Sequence, residues 1–372
     1  MKRVCIFHFP GMENFHGYSI QSLDPMPYFP GANSWWRRAL LLRKLSEAKS
    51  VDQMYRERDP SYMRFLQDFI DEFKDADLIV IATYNPIHPE VLYNDLTKPI
   101  KVLGFIDDPV STYTSGIPSL WAFDAAFYIS PSYNDQVLFK DALQNWGCPQ
   151  SYWWPLVGVG ANTADQGRFW PLAAPRAEAL RRGDGFFRER DIDLIYVGGA
   201  YEDKMDRLIR LRRRFGSGLR LYGRWRLGGY IGATRWLKGK PAFWTRVATI
   251  SHWEKTELYY RTKIGFNMHR SNRMETGNMR MYEVPAHGMM LLCDKAGLNA
   301  HEQIFEPDKE AVYYDSIEDA IEKAEYYLKH DEKRERIARA GFARMQRDYD
   351  AELNLKNFLD WASRLERKRR RI

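Results

Sequence analysis

Short apolar runs recur along this chain, each followed by a segment of helical period. That alternation restricts the fold to parallel sheet covered by helices on both faces. A first series comprises Lys2–Phe9, DLIVIAT (77–83), IKVLGFIDDP (100–109), Ala125–Ile129 and YWWPLVGV (152–159), with helical period over Trp36–Glu47 and Pro60–Lys74. Residues 161–190 break the pattern with Pro, Gly and a basic, Ala-rich stretch. The pattern restarts at Leu194–Val197 and runs through LRLYG (219–223), Lys263–His269 and Met289–Cys293, with helical segments at Arg207–Arg214, Ile317–Lys329, Glu332–Tyr349 and Glu352–Arg367. The expected fold is α/β: two Rossmann-like domains, residues 1–160 and 191–350, face each other across a cleft and are joined by a linker at 161–190. Residues 351–372 form a C-terminal helix with a basic tail, the helix packing back on the first domain. A chain of 372 residues fits two cores better than one.

Composition narrows the function classes. Cys5, Cys148 and Cys293 lie far apart beside apolar runs and form no CxxC, so they read as buried thiols in a reducing compartment, the cytoplasm, and not as metal ligands or disulfides. No apolar run approaches the ~20 residues of a membrane span. The start, MKRVCIFHFPGM, is too short and Pro-terminated for a signal peptide and reads as a first strand. Net charge is +7, partly from the tail RLERKRRRI, which is either a solvated terminus or a contact for anionic lipid or nucleic acid.

Ligands of such sheets bind at the carboxyl ends of the strands. Three segments reach that edge in the second half. Gly198 and Gly199, in VGGAYEDK, let backbone amides approach an anion at a helix start, or simply make a tight turn. Asn267, His269 and Arg270 follow an apolar strand and suit phosphate or sugar contacts, although a lone cation there also suits a solvated loop. In ETGNMRMYEVPAHGMMLLCD (275–294), Asn278 reads as a cap, 279–287 as a helix, and Gly288 as its left-handed stop. Arg280, Glu283 and His287 share one face of that helix, while Pro285 is expected to kink it. A carboxylate near a helix start can accept both hydroxyls of a ribose, and an arginine beside it can neutralise a diphosphate with forked donors.

Several blocks resemble one known family: DIDLIYVGG, TELYYRTKIGFNMHRSN, NMRMYEVPAHGMMLLCD and GLNAHEQIFEPDKEAVYYDSIEDAIEKAEYYLKHDEKRERIARAGFARM, with GFIDDP and FDAAFYIS matching more loosely. These are similar to GT-B glycosyltransferases, and among them to the CgeB-like, spore-maturation-type proteins. The resemblance implies a nucleotide-diphosphate sugar held by the C-terminal domain and an acceptor bound by the N-terminal one. It implies that Glu283 holds the donor ribose and that Arg280 and the Gly198–Gly199 turn hold the diphosphate; Asn267, His269 and Arg270 are the further donor contacts read from their place after the strand. Glu275 and Glu283 resemble the E-x7-E pattern of retaining enzymes, with Glu275 facing the donor sugar in ETGN instead of the usual EGFG context. No DxD pair stands where a metal would be held, so neither metal nor cofactor is expected. Asp107, Asp108 and His16 are the candidate bases for an acceptor hydroxyl.

Two other readings stay open. A nucleotide-sugar epimerase or hydrolase of the same fold would act without an acceptor. A nucleic-acid surface is suggested by residues 223–246, an insertion outside the resemblance that interleaves Trp225, Trp236 and Trp244 with cations. The insertion would otherwise cover the donor pocket. The two ideas combine in a glycosyltransferase whose acceptor is a nucleic-acid base.

Overall fold

The computed structural model describes residues 1–6, 12–29, 31, 34–82, 86–105, 112–133, 136–155, 173–199, 202–223, 248–269, 278–295, 298 and 301–367. Strands β1 (Lys2–Ile6), β2 (Met12–Phe15), β3 (Tyr18–Gln21), β4 (Leu78–Ala82), β5 (Ile100–Phe105), β6 (Ala125–Tyr128) and β7 (Ser151–Trp153) form a seven-stranded sheet ordered β2-β3-β1-β4-β5-β6-β7. Every pairing in it is parallel except β2 with β3. Side chains alternate between two cores, as the two-residue period of a strand demands. Cys5, Ile79, Ile81 and Leu103 face a cluster completed by helices α1 (Trp35–Ser46), α2 (Ala48–Arg56), α3 (Pro60–Phe73), α4 (Pro89–Asn94) and α5 (Phe139–Asn145).

Val4, Ile6, Leu78, Val80 and Val102 face the other way. The helix over them comes from the far end of the chain: Leu355, Phe358, Leu359 and Ala362 belong to the C-terminal helix Ala351–Ala362. Phe358 stacks on Trp154 at 4.2 Å and meets Phe127 edge-on at 5.3 Å. The C-terminal helix therefore closes the first sheet, as the sequence suggested.

The second sheet contains β8 (Ile192–Val197), β9 (Leu219–Tyr222), β10 (Thr262–Asn267), β11 (Met290–Asp294) and β12 (Val312–Tyr314), ordered β12-β11-β10-β8-β9 and parallel throughout. Around it lie α6 (Ala173–Arg182), α7 (Gly185–Arg188), α8 (Glu202–Phe215), α9 (His252–Arg261), α10 (Met279–Ala286), α11 (Ile317–Lys329) and α12 (Asp331–Asp348), and the C-terminal helix above is α13. Leu194, Phe266 and Leu292 pack with α8 and α11, while Ile195, Leu291 and Cys293 pack with α9, α10 and α12. The chain reverses its direction across this sheet beside β8, which has β9 on one side and β10 on the other. Such a switch point opens a crevice between the carboxyl ends of the two strands that flank it.

The structure departs from expectation at several places. The loop expected after the first strand contains the β2–β3 hairpin, turned by His16 and Gly17 at positive φ of 47° and 86°, with Asn14 at 56° where the register of β2 shifts. Residues expected to link the halves carry helices α6 and α7, because the Ala-rich stretch has helical propensity. Helix α9 begins at a capping box, Ser251 with Glu254, and β12 completes the sheet edge; neither was expected. Pro285 lies one residue before the end of α10, so it marks the end of a short helix and not the middle of a kinked one. Cys5, Cys148 and Cys293 are buried free thiols. Among the described residues, no helix is long and apolar enough to cross a membrane.

Candidate functional site

The crevice between β8 and β10 is built around one arginine. Asn278 caps α10, its side chain accepting the Arg280 amide at 3.1 Å, and so sets where the helix begins. From the first turn Arg280 reaches back over the sheet edge. Its Nε donates to Asn267 Oδ1 at 3.0 Å and its Nη1 to the Val197 carbonyl at 3.1 Å, which ties it to the ends of both strands. The guanidinium lies over the Tyr196 ring, 4.7 Å from its centroid. Directly beneath it is Gly198, where a Cβ would stand 2.0 Å from Nη1. The glycine is needed for that close approach. Three of the expected groups, Arg280, the Gly198–Gly199 turn and Asn267, thus come together, but Asn267 is fully buried and orients Arg280.

His269 also lies at this edge, with both ring nitrogens committed. Its Nδ1 is 2.8 Å from Asp294 Oδ1, and the Asn278 amide donates to its Nε2 at 3.3 Å. Nε2 accepts, so Nδ1 carries the proton and donates to the carboxylate. With 3% of its surface exposed, His269 braces the start of α10. Burial alone would raise the Asp294 carboxyl, but the neighbouring His269 and His301 hold it well below the usual carboxylate range. Burial, the largest cause, pushes His301 down to about 3. His301 Nδ1 meets the Asp294 carbonyl at 2.6 Å. His269, Cys293, Asp294 and His301 offer potential metal-ligand atoms within 4.8 Å of one another. Hydrogen bonds already engage them: Cys293 Sγ donates to Asp294 Oδ1 at 3.5 Å and accepts from Asn267 Nδ2 at 3.3 Å. Their present geometry is that of a protonated polar network.

Glu283 follows Arg280 by one turn and is 7% exposed. Lys255 Nζ donates to its Oε1 at 2.9 Å and the Tyr259 hydroxyl to its Oε2 at 3.4 Å. Burial first, and then the Glu283 charge, push the Tyr259 phenol far up, so it stays a donor. His287 caps the C-terminal end of α10; its Nδ1 lies 2.7 Å from the Glu283 carbonyl, and burial brings it down to about 4, leaving it neutral.

The other expected residues fare differently. His16 sits at the tip of the β2–β3 hairpin, next to the pairing of Lys2 with Tyr18. That is the amino edge of the first sheet, opposite the one where ligands bind, and His16 Nε2 pairs there with Glu352 at 3.1 Å. The register of β3 thus places it away from the carboxyl edge, where the sequence reading put the acceptor. Asp107, Asp108, Arg270, Glu275 and residues 224–246 of the insertion lie outside the described residues. Sequence reasoning missed Lys255, Tyr259, Asp294 and His301, and also Lys204, a 98%-buried cation in the first turn of α8 just past the Gly-Gly turn. The Ser251–Glu254 capping box was the available signal, since it places Lys255 and Tyr259 at i and i+4 on one helix.

The sequence model of a glycosyl transferase-like family matches residues 206–360. Among solved structures, an alpha-glucosyltransferase in complex with UDP-glucose and DNA containing an abasic site is similar, with TM-score 0.61 and 13% identity over 97% of this chain and 99% of that one. Sucrose-phosphate synthase from Thermosynechococcus elongatus gives 0.60 at 13% identity over 97% and 98%. HepE of Anabaena, in complex with UDP and glucose, gives 0.56 at 9% identity over 98% and 100%. Among curated proteins, none matches the sequence. Residues 206–360 thus match a glycosyl transferase-like family, and the whole chain has the fold of GT-B structures.

Proposed function

We propose that this chain, a CgeB-like glycosyltransferase, moves a sugar from a nucleotide-diphosphate sugar to an acceptor hydroxyl. The donor occupies the crevice of the second domain (191–350), and the acceptor the carboxyl edge of the first (1–160), with 161–190 joining them and 351–372 closing the first. The observation that carries this reading is Arg280, anchored over the Gly198–Gly199 turn at the switch point of the sheet. Backbone amides and a forked cation at that place stabilise a departing diphosphate without calling on a metal. Glu283 takes the ribose hydroxyls. Glu275, spaced from it as E-x7-E, faces the donor sugar in a retaining reaction, and Asp107 and Asp108 serve the acceptor. The buried free thiols favour a reducing, cytoplasmic setting.

The test is a thermal melt of the protein against a panel of nucleoside diphosphates and their sugars. A ligand that binds only the folded state raises Tm, and at 100 times its Kd it adds about 2.7 kcal/mol. One nucleotide sugar is expected to give a rise of several degrees; a panel without any shift would remove the reading. Release of free or altered sugar in the absence of acceptor would assign the chain to the epimerase or hydrolase class.

Gly198→Ala offers an internal check. The new methyl would displace the Arg280 guanidinium, the far end of a flexible side chain, from Val197 and Asn267. Donor binding is expected to weaken about tenfold or more, as for the loss of one charged hydrogen bond, with Tm of the free protein within a few degrees of wild type. Wild-type donor affinity in this variant would exclude Arg280 from the diphosphate site.

A second reading, in which the acceptor is a nucleic-acid base, is favoured by the +7 charge and by the full-length likeness to a glucosyltransferase crystallised with DNA. Residues 223–246 supply its cations and tryptophans. Binding to duplex or single-stranded DNA that weakens steeply with salt would support it, and no binding at low salt would end it.

A further inference from the structure

Helix α1 is an outer helix with an unusual exposed face. Only Leu41 and Leu45 among its described side chains are buried, anchoring it to the core of the first sheet. Trp36, Ala39, Leu40 and Arg43 fall at i, i+3, i+4 and i+7, a stripe on the opposite face, with Leu42 beside it. Trp36 is 48% exposed, Leu40 52% and Leu42 42%, large values for side chains of this size. The helix carries Arg37, Arg38, Arg43 and Lys44 and no acidic residue. Glu47, just past its end, pairs with Arg43 at 2.8 Å. The Arg37 guanidinium lies 4.9 Å from the centre of the Trp36 ring.

We infer that α1 is a docking surface for an anionic lipid membrane. Tryptophan and leucine on one face, flanked by cations, suit a helix lying in the plane of the interface: the apolar side chains enter the acyl boundary while the guanidinium and ammonium groups meet lipid phosphates. A second copy of this chain fits less well, since an isologous contact would bring four cations against four. Nucleic acid fits less well too, because single-strand surfaces gain from rings that stack on bases, and Leu40 and Leu42 supply none. The assignment is independent of the donor site, which lies on the second sheet.

The experiment is co-sedimentation with vesicles of 70% phosphatidylcholine and 30% phosphatidylserine, compared with pure phosphatidylcholine. Wild-type protein is expected to pellet with the anionic vesicles and much less with the neutral ones. The variant Trp36→Ser/Leu40→Gln is expected to bind at least tenfold more weakly. A second variant, Arg37→Gln/Arg38→Gln/Lys44→Gln, should lose about fivefold per cation removed. All substituted side chains are exposed, so both variants should keep the wild-type Tm. Failure of the wild type to pellet would overturn the proposal. So would full binding by both variants, which would move the attachment to the basic tail, or variants that lose only DNA affinity, which would make α1 a nucleic-acid surface.

Discussion

Glu283→Ala is expected to weaken donor binding about 100-fold or more and to lower stability at the same time. The two effects have separate causes and can be separated. The carboxylate is nearly buried and receives Lys255 Nζ at 2.9 Å and the Tyr259 hydroxyl at 3.4 Å. Removing one member of a buried ion pair costs about 3–5 kcal/mol where burial is complete. The Lys255 side chain keeps 17% exposure, so the lower end of that range applies. The double variant Glu283→Ala/Lys255→Met removes both charges and should recover most of the stability. It cannot recover donor binding if Glu283 holds the ribose, because two hydrogen bonds to a charged group, each ~1.5–3 kcal/mol, have gone. The measurement is calorimetric titration with the donor nucleotide, alongside melts of both variants. Wild-type affinity in the double variant would reduce Glu283 to a structural ion pair and remove it from the site.

The sequence made some of this site legible because certain residues act locally. Asn278 is a cap and Gly288 a left-handed stop at φ 71°, and both depend on neighbours within a few positions. The apolar runs identified most of the strands because a strand buried on both faces has nowhere to put polar side chains. The β2–β3 hairpin was hidden because its turn is only His16-Gly17, both at positive φ, and because Asn14 at positive φ bulges the strand before it. His16 was misplaced for a deeper reason: a loop residue's sequence position does not say at which edge of the sheet it emerges. His269 was placed at the correct edge, but its role depends on Asp294 and Asn278, which occupy both ring nitrogens. Lys255 and Glu283 meet across 28 residues. Such pairings follow from strand order, and strand order is a property of the whole sheet.

Arg190 carries the second large expectation, and it concerns stability. It falls in the basic stretch that the sequence presents as linker, yet it is 7% exposed and has no carboxylate within ion-pair distance among the described residues. Its guanidinium instead donates to carbonyls: Phe186 from Nε at 3.0 Å and from Nη2 at 2.7 Å, Tyr259 from Nη1 at 2.9 Å, Thr262 from Nη1 at 2.5 Å, and His287 from Nη2 at 2.8 Å. Burial, followed by the charges of Arg182 and Arg334, pulls it down to about 9, so it remains protonated at neutral pH. One side chain thereby joins α7, the end of α9, the start of β10 and the residue after α10. These are the segments that carry Tyr259 and Glu283. Gly288 completes the arrangement, since a Cβ there would lie 2.8 Å from Nη2. Arg190→Met keeps an unbranched apolar stem but removes every donor. Each carbonyl left dry costs ~1–3 kcal/mol, partly offset by no longer burying a charge, and the net expectation is a loss of about 4 kcal/mol. Arg190→Lys, a point charge that cannot fork, should lose about half as much. Urea unfolding of the two variants beside wild type gives the order directly. A methionine variant that unfolds at the wild-type midpoint would show that the four carbonyls find other partners and that Arg190 is not the brace of the second domain.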